Sequence, residues 1–210
     1  MENIKPAGIE RRSMEIIDSE LGITPELSDK ERSVLKRVIH ATADFEYKNN
    51  LKFSTKAVEN GLEALNSGAV IVTDTNMALS GISKPALNYL GCEAVCFMGE
   101  ADVAEKAAKE GTTRASAAVD KAALIYRNKK IIYAVGNAPT ALIRLDQLIK
   151  EKKISPSLII GVPVGFVNVV QSKELIMSGS TPYICAAGRK GGSTVSAAIC
   201  NALLYMLYSR

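Results

Sequence analysis

The sequence predicts a single doubly wound α/β domain over residues 1–210, with a mostly parallel sheet of about five strands and helices on both faces. Three observations carry this expectation. Short apolar runs rich in Val and Ile recur along the chain, helical patterns separate most of them, and no linker, repeat or low-complexity tract divides them. Strands that are apolar throughout and alternate with helices belong to a parallel sheet covered on both sides.

In chain order, "GIERRSMEIIDSEL" (8–21) reads as a first helix. A second opens at "SDKE" (28–31), where Ser28 and Glu31 form a capping box, and runs to about Ala43. Its apolar stripe is Val34, Leu35, Val38 and Ile39, and at about 100° per residue His40 falls nearly opposite the middle of that stripe. "LKF" (51–53) and a helix near residues 55–66 follow. The strand candidates are "AVIVTD" (69–74), "EAVCFM" (93–98), "KIIYAVG" (130–136), "SLIIGVPVG" (157–165) and "YICAAG" (183–188). Among the helices between and after them, "GTTRASAA" (111–118) is a start with Thr112 or Thr113 as cap and Arg114 in its first turn. "APTALIRLDQLIKEKK" (138–153) is another, and "STVSAAICNALLYMLY" (193–208) closes the series. That last helix is apolar on more than one face, so part of it is expected to rest on another element or on a second subunit of a homodimer.

Composition excludes several classes. With 47% hydrophobic and 23% charged residues the chain can bury a sizeable core. It has no Trp and only 5% aromatics, which argues against a stacking platform for nucleic acid. The net charge of +4 is spread without a basic block and suits an acidic small molecule at least as well as a polynucleotide. "MENIKPAGIERRS" lacks the apolar run of a signal peptide, and the longest apolar stretch, "SLIIGVPVGFVNVV", is interrupted by Pro163 and two glycines. No membrane association is expected. Cys92, Cys96, Cys185 and Cys200 form no CxxC pair and read as buried reduced thiols of a cytoplasmic protein, not as a zinc site.

His40 is the only histidine, so any histidine proton transfer must use it, the alternative being a solvated surface imidazole. In open α/β sheets ligands bind beyond the carboxyl ends of the strands. The loops there are "TDTNMALSG" (73–81), "GNAPTA" (136–141), "GVPVGFVN" (161–168) and "GRKGGS" (188–193). "GRKGGS" combines glycines, which admit close backbone approach, with two cations and a helix start that Ser193 can cap: an anion cradle. Arg114, a cation at the positive end of a helix, is either a clamp for an anion or a solvated side chain. On spacing alone Arg11, Arg12 and Ser13 are an ordinary exposed helix face. There is no GxxxxGK[ST], no GxGxxG after the first strand, no GxSxG and no HExxH. One potential acid/base among several anion-binding loops suggests an isomerase or transferase acting on a large polyanion, without a protein-bound metal. A phosphate-ester or nucleotide-sugar transferase using "GRKGGS" is the competing enzyme class.

The set "IERRS" (9–13), "RVIHATAD" (37–44), "TDTNMALSGI" (73–82), "TTRASAAVD" (112–120), "GNAPTAL" (136–142), "GVPVGFVNVVQSKELI" (161–176) and "GRKGGSTVSAAICNALL" (188–204) resembles the precorrin-8X methylmutase family, which includes the cobalt-precorrin-8 methylmutases. The resemblance spans nearly the whole chain in order. It implies a homodimeric isomerase of cobalamin biosynthesis that moves a methyl group from C11 to C12 of a polycarboxylate tetrapyrrole by a 1,5-sigmatropic shift. No cofactor is implied, since any cobalt is carried by the substrate. By the same resemblance His40 is the proton donor to ring C. Ser13, Arg12, Arg114, Asp74, Thr75 and Met77 would line the pocket. Asn137, Ala138 and Thr140, then Val164, Gly165 and Phe166, then Arg189, Lys190, Gly191, Gly192 and Ser193 would grip the carboxylate arms. Gln171 stands where many relatives are expected to carry an acidic residue. A tetrapyrrole carrier without chemistry shares all of these features and differs only in making His40 dispensable.

Overall fold

Helices and strands alternate along residues 5–208, the part of the chain that this computed structural model describes. Helix α1 (Pro6–Leu21) leads into α2 (Asp29–Thr42), whose capping box forms as expected: Ser28 Oγ accepts the Glu31 amide while the Glu31 carboxylate accepts the Ser28 amide. Then come α3 (Tyr47–Asn50), β1 (Leu51–Phe53), α4 (Ala57–Asn66), β2 (Val70–Thr73), α5 (Asn76–Gly81), α6 (Lys84–Leu90) and β3 (Glu93–Val95). Helices α7 (Ala101–Glu110) and α8 (Arg114–Ile125) precede β4 (Ile131–Val135). The chain continues through α9 (Pro139–Lys150), β5 (Leu158–Gly161), α10 (Val169–Met177), β6 (Tyr183–Ala186) and α11 (Ser193–Leu207).

The sheet has six strands in the order β1-β6-β5-β4-β2-β3. Five run parallel. The sixth is "LKF", which pairs antiparallel with β6 through Leu51↔Ala186 and Phe53↔Ile184. Three residues are too few for a periodic signal, so the run did not stand out among the strand candidates. Exposed Lys52 keeps this edge from recruiting a further strand. The other strands stop earlier than their apolar runs: β3 ends at Val95 and β5 at Gly161, leaving 162–168 as loop.

Alternation along each strand sorts the core into two layers. From β4, Ile132 and Ala134 face one layer with α1, α2, α4, α6 and α11. Ile131, Tyr133 and Val135 face the other, with α7, α8 and α9. The two apolar faces of α11 are covered by its own chain: Ile199 and Leu204 are fully buried, and the helix packs on α2, α4, α5, α6, β4 and β5. Its all-round hydrophobicity is thus explained within one subunit and gives no support to a dimer. Of the cysteines, Cys185 and Cys200 are buried, and burial pushes each thiol up to about 12. Cys92 and Cys96 are only half-buried, contrary to expectation, because β3 is the outer strand of the sheet. Among the described residues no helix is long and apolar enough to cross a membrane.

The order in which strands are added changes side at β2. From β2 the chain moves outward to β3, then returns to the other side of β2 and proceeds through β4, β5 and β6. The carboxyl ends of β2 and β4 therefore flank a topological switch point, where such sheets open a crevice.

Candidate functional site

Two loop corners meet at the carboxyl edge. The first joins the ends of β2 and β4. Asp74 is buried, its Oδ1 accepting the Gly136 amide at 2.8 Å and its Oδ2 the amides of Asn137 and Ala138 at 2.7 and 2.6 Å. Burial pushes this carboxyl up while the three amides pull it down. Thr75 caps α5 by accepting the Ala78 amide, and its hydroxyl lies 2.8 Å from Ser193 Oγ. Thr113, not Thr112, caps α8, and its hydroxyl lies 2.8 Å from that of Thr140. A Cβ on Gly136 would come within 2.9 Å of Ser193 Cα, so only glycine lets the start of α11 lie against this loop.

This geometry corrects part of the sequence reading. The amides of Asn137 and Ala138 hold Asp74, not a substrate carboxylate. The N-cap of α11 is Gly192, so Ser193 lies in the first turn and binds Thr75 instead of capping. The polar groups of Asp74, Thr75, Thr140 and Ser193 are all answered from within the chain: Asp74 by backbone amides, Thr75 and Ser193 by each other, and Thr140 by Thr113.

The second corner follows β5 and β6. The Gly192 amide donates to Val162 O at 2.8 Å, and the Gly165 amide donates to Arg189 O at 3.2 Å, which stitches 162–165 to 189–192. At Gly191, with φ of +156°, a Cβ would sit 2.1 Å from Val162 O. Phe166 is 79% exposed, and the Arg189 guanidinium lies over its ring at 5.3 Å. Val164 and Met77 are exposed as well. Lys190, expected to clamp a ligand, is ion-paired with Asp44 at 2.5 Å and Glu46 at 2.7 Å. Those two carboxylates follow α2 directly, because Ala43 in the left-handed region (φ 53°) turns the chain there.

The Lys190–Asp44 pair draws the end of α2 alongside this corner. His40 lies one helical turn before Asp44, exposed, on the side of α2 opposite its buried stripe. Helix α1 runs beside α2, held by Glu10–Arg37 at 2.7 Å near one end and by Asp18 with Arg32 and Lys36 near the other. Ser13 and Arg12 sit on this helix with local contacts: Ser13 Oγ donates to Ile9 O at 2.9 Å, and Arg12 lies 3.5 Å from Glu15. Arg114 is exposed in the first turn of α8.

One residue at this corner was missed by sequence reasoning. Lys173 is fully buried, and its Nζ donates to Gly188 O at 2.9 Å and Lys190 O at 2.7 Å. It shares the inward face of α10 with Val169, Ser172 and Ile176. A lysine in the apolar i, i+3, i+4, i+7 stripe was the available signal.

Exposed His40, Arg114 and Arg189, exposed apolar Met77, Val164 and Phe166, and the first amides of α11, which no side chain caps, together suit an apolar ring with anionic arms. A cleft of about 530 Å³ lies at the amino ends of β4 and β5, around Ile131, Ser155 and Pro156, and none of the expected site residues lines it. Among the described residues no group of three or more His, Cys, Asp or Glu side chains is placed to hold a metal ion.

Comparison with known proteins agrees across nearly the whole length. The family model described as precorrin-8X methylmutase matches residues 8–206. The chain is 44% identical over 207 residues to a cobalt-precorrin-8 methylmutase of Salmonella typhimurium, covering 97% of this chain and 96% of that protein. It is 43% identical over 208 residues to one of Leptospira interrogans, covering 96% and 94% respectively. A crystal structure of a precorrin-8X methylmutase from Thermus thermophilus superposes with a TM-score of 0.87 at 41% identity, covering 95% of this chain and 96% of that one.

Proposed function

The chain belongs to the precorrin-8X methylmutase family, and from that premise we propose that it isomerises a precorrin-8 tetrapyrrole, with or without cobalt in the macrocycle, by moving the C11 methyl group to C12. The C11–methyl bond breaks as the C12–methyl bond forms, so no external methyl donor and no change of oxidation level are involved. His40 lends a proton to the ring C nitrogen, which draws electron density toward that ring and lowers the barrier to migration, and it takes the proton back afterwards. General acid help of this kind is worth about 100- to 10,000-fold. Arg189 and Arg114 bind carboxylate arms, while Phe166, Val164 and Met77 offer apolar contact to the ring. The reading extends to one domain over residues 1–210, acting as a homodimer in the cytoplasm.

The observation that carries this reading is the position of His40. The sole histidine of a family member is solvent-facing and stands one turn from the ion pair that docks its helix onto the 188–192 loop. His40→Asn is the test, because asparagine keeps a donor but cannot transfer a proton near neutrality. Turnover of precorrin-8 is expected to drop at least about 100-fold, while hydrogenobyrinic acid, the cobalt-free product, still binds with its visible spectral shift. Near-normal turnover by this variant would remove His40 from the acid role.

A further inference from the structure

Lys173 presents a problem that the fold alone does not solve. It is a fully buried ammonium whose hydrogen-bond acceptors are two neutral carbonyls, Gly188 O and Lys190 O. No carboxylate lies within ion-pair distance of it among the described residues, and the titratable neighbour that bears on it is the Cys185 thiol of β6. Burial pulls the amine down to about 8, so near neutrality it is charged. An unpaired buried charge is costly unless something compensates it.

The compensation lies in the shape of the loop above it. Among the described residues every peptide is trans. In a trans peptide the C=O and the following N–H lie in one plane and point in opposite directions. With Gly188 O and Lys190 O turned down onto Nζ, the amides of Arg189 and Gly191 are turned the other way. Neither of these amides donates to a backbone acceptor among the described residues. Gly191 and Gly192, at φ of +156° and +130°, let the chain hold this alternation. The result is two amides, those of Arg189 and Gly191, turned away from the buried Lys173 amine, beside the Arg189 side chain and the uncapped start of α11.

We propose that Lys173 is the positioning residue for one anionic arm of the substrate: by holding two carbonyls inward it aims the Arg189 and Gly191 amides at a carboxylate. This rests on the methylmutase reading and adds to it a residue that never touches the ligand.

Lys173→Met keeps the length and apolar stem of the side chain and removes the charge and both hydrogen bonds. Its affinity for hydrogenobyrinic acid, followed by visible absorption, is expected to fall about 10- to 100-fold, with KM rising by a similar factor and kcat changing far less. Unchanged affinity in a folded variant overturns the proposal, including the case where only thermal stability drops, since that would show a purely structural lysine. Should the variant fail to fold, wild-type protein labelled with nitrogen-15 decides. The Arg189 and Gly191 amide resonances are expected to move downfield on adding hydrogenobyrinic acid, and their standing still while other site resonances move overturns the proposal. A wild-type protein that neither binds nor isomerises the corrinoid defeats the functional reading and this inference with it. A wild type that does both beside an unaltered K173M defeats this inference alone.

Discussion

The two corners of the carboxyl edge are built from similar residues and do opposite things. At the β2–β4 corner the chain answers its own polar groups: Asp74 takes three amides, Thr75 takes Ser193, and Thr113 takes Thr140. At the β5–β6 corner the charge beneath the loop has only carbonyl partners, and Arg189 and Phe166 stand out in solvent. A corner closed on itself sets distances between strands; a corner left open meets a ligand. Glycine-rich loops with polar residues at strand ends look alike in both cases, and the sign of the buried group separates them. A buried carboxylate consumes amides, whereas a buried ammonium consumes carbonyls and leaves amides over.

Breaking the closed corner should have the largest effect. Asp74→Ala strands three amides, that of Gly136 buried and those of Asn137 and Ala138 partly so, and is expected to cost about 3–5 kcal/mol in urea-unfolding measurements. If Asp74 instead acts mainly as a substrate contact, the loss will appear in KM with stability nearly intact. At the open corner the expectation reverses. Arg189→Ala should weaken product binding by about 1.5–3 kcal/mol, and added salt should weaken the wild type more than the variant, while the unfolding midpoint stays put. Arg114→Ala is expected to follow the same pattern. A shifted midpoint in either would mean that these arginines belong to the closed type.

The smallest effect concerns Lys190, which joins α2 to the open corner. Its hydrogen bond holds the Asp44 carboxyl below its ordinary value of 3.8. A carboxyl whose folded pKa is depressed stabilises the fold above its unfolded value and loses that contribution as pH falls through the folded one. Acid titration should therefore loosen the end of α2 only below about pH 4, and Lys190→Ala should remove that step. Hydrogen exchange at residues 40–46 reads it directly. Exchange that is indifferent to both changes would show that packing alone docks this helix.

Much of this arrangement was legible because periodicity reports burial. The capping box at Ser28 and the stripe through Ile39 locate α2 and orient His40 outward from sequence alone. The five parallel strands announced themselves through unbroken apolar runs. What stayed hidden depended on partners distant in sequence. Lys190 read as a free cation because Asp44 is 146 residues away, and Ser193 read as a cap because Thr75 is 118 residues away. Asp74 looked available because nothing local reveals that three amides some 60 residues later close on it. Lys173 was the exception, since its place on an apolar stripe is a local fact.

The burial of α11 bears on how the chain comes off the ribosome. It is the last element to be synthesised of all those it packs against, and it supplies the centre of one core layer, between α2 and the sheet. During elongation that layer can gather only around an unfilled space, with α2, α4 and α6 exposing apolar faces to solvent. Pairings between residues more than 100 positions apart are slow to form, and a nascent chain held in that state is prone to association. Helix α11 is therefore expected to close this layer late in folding, and stalling translation just before residue 193 should yield a protease-sensitive, chaperone-bound intermediate, whereas a chain that has emerged past residue 207 should not.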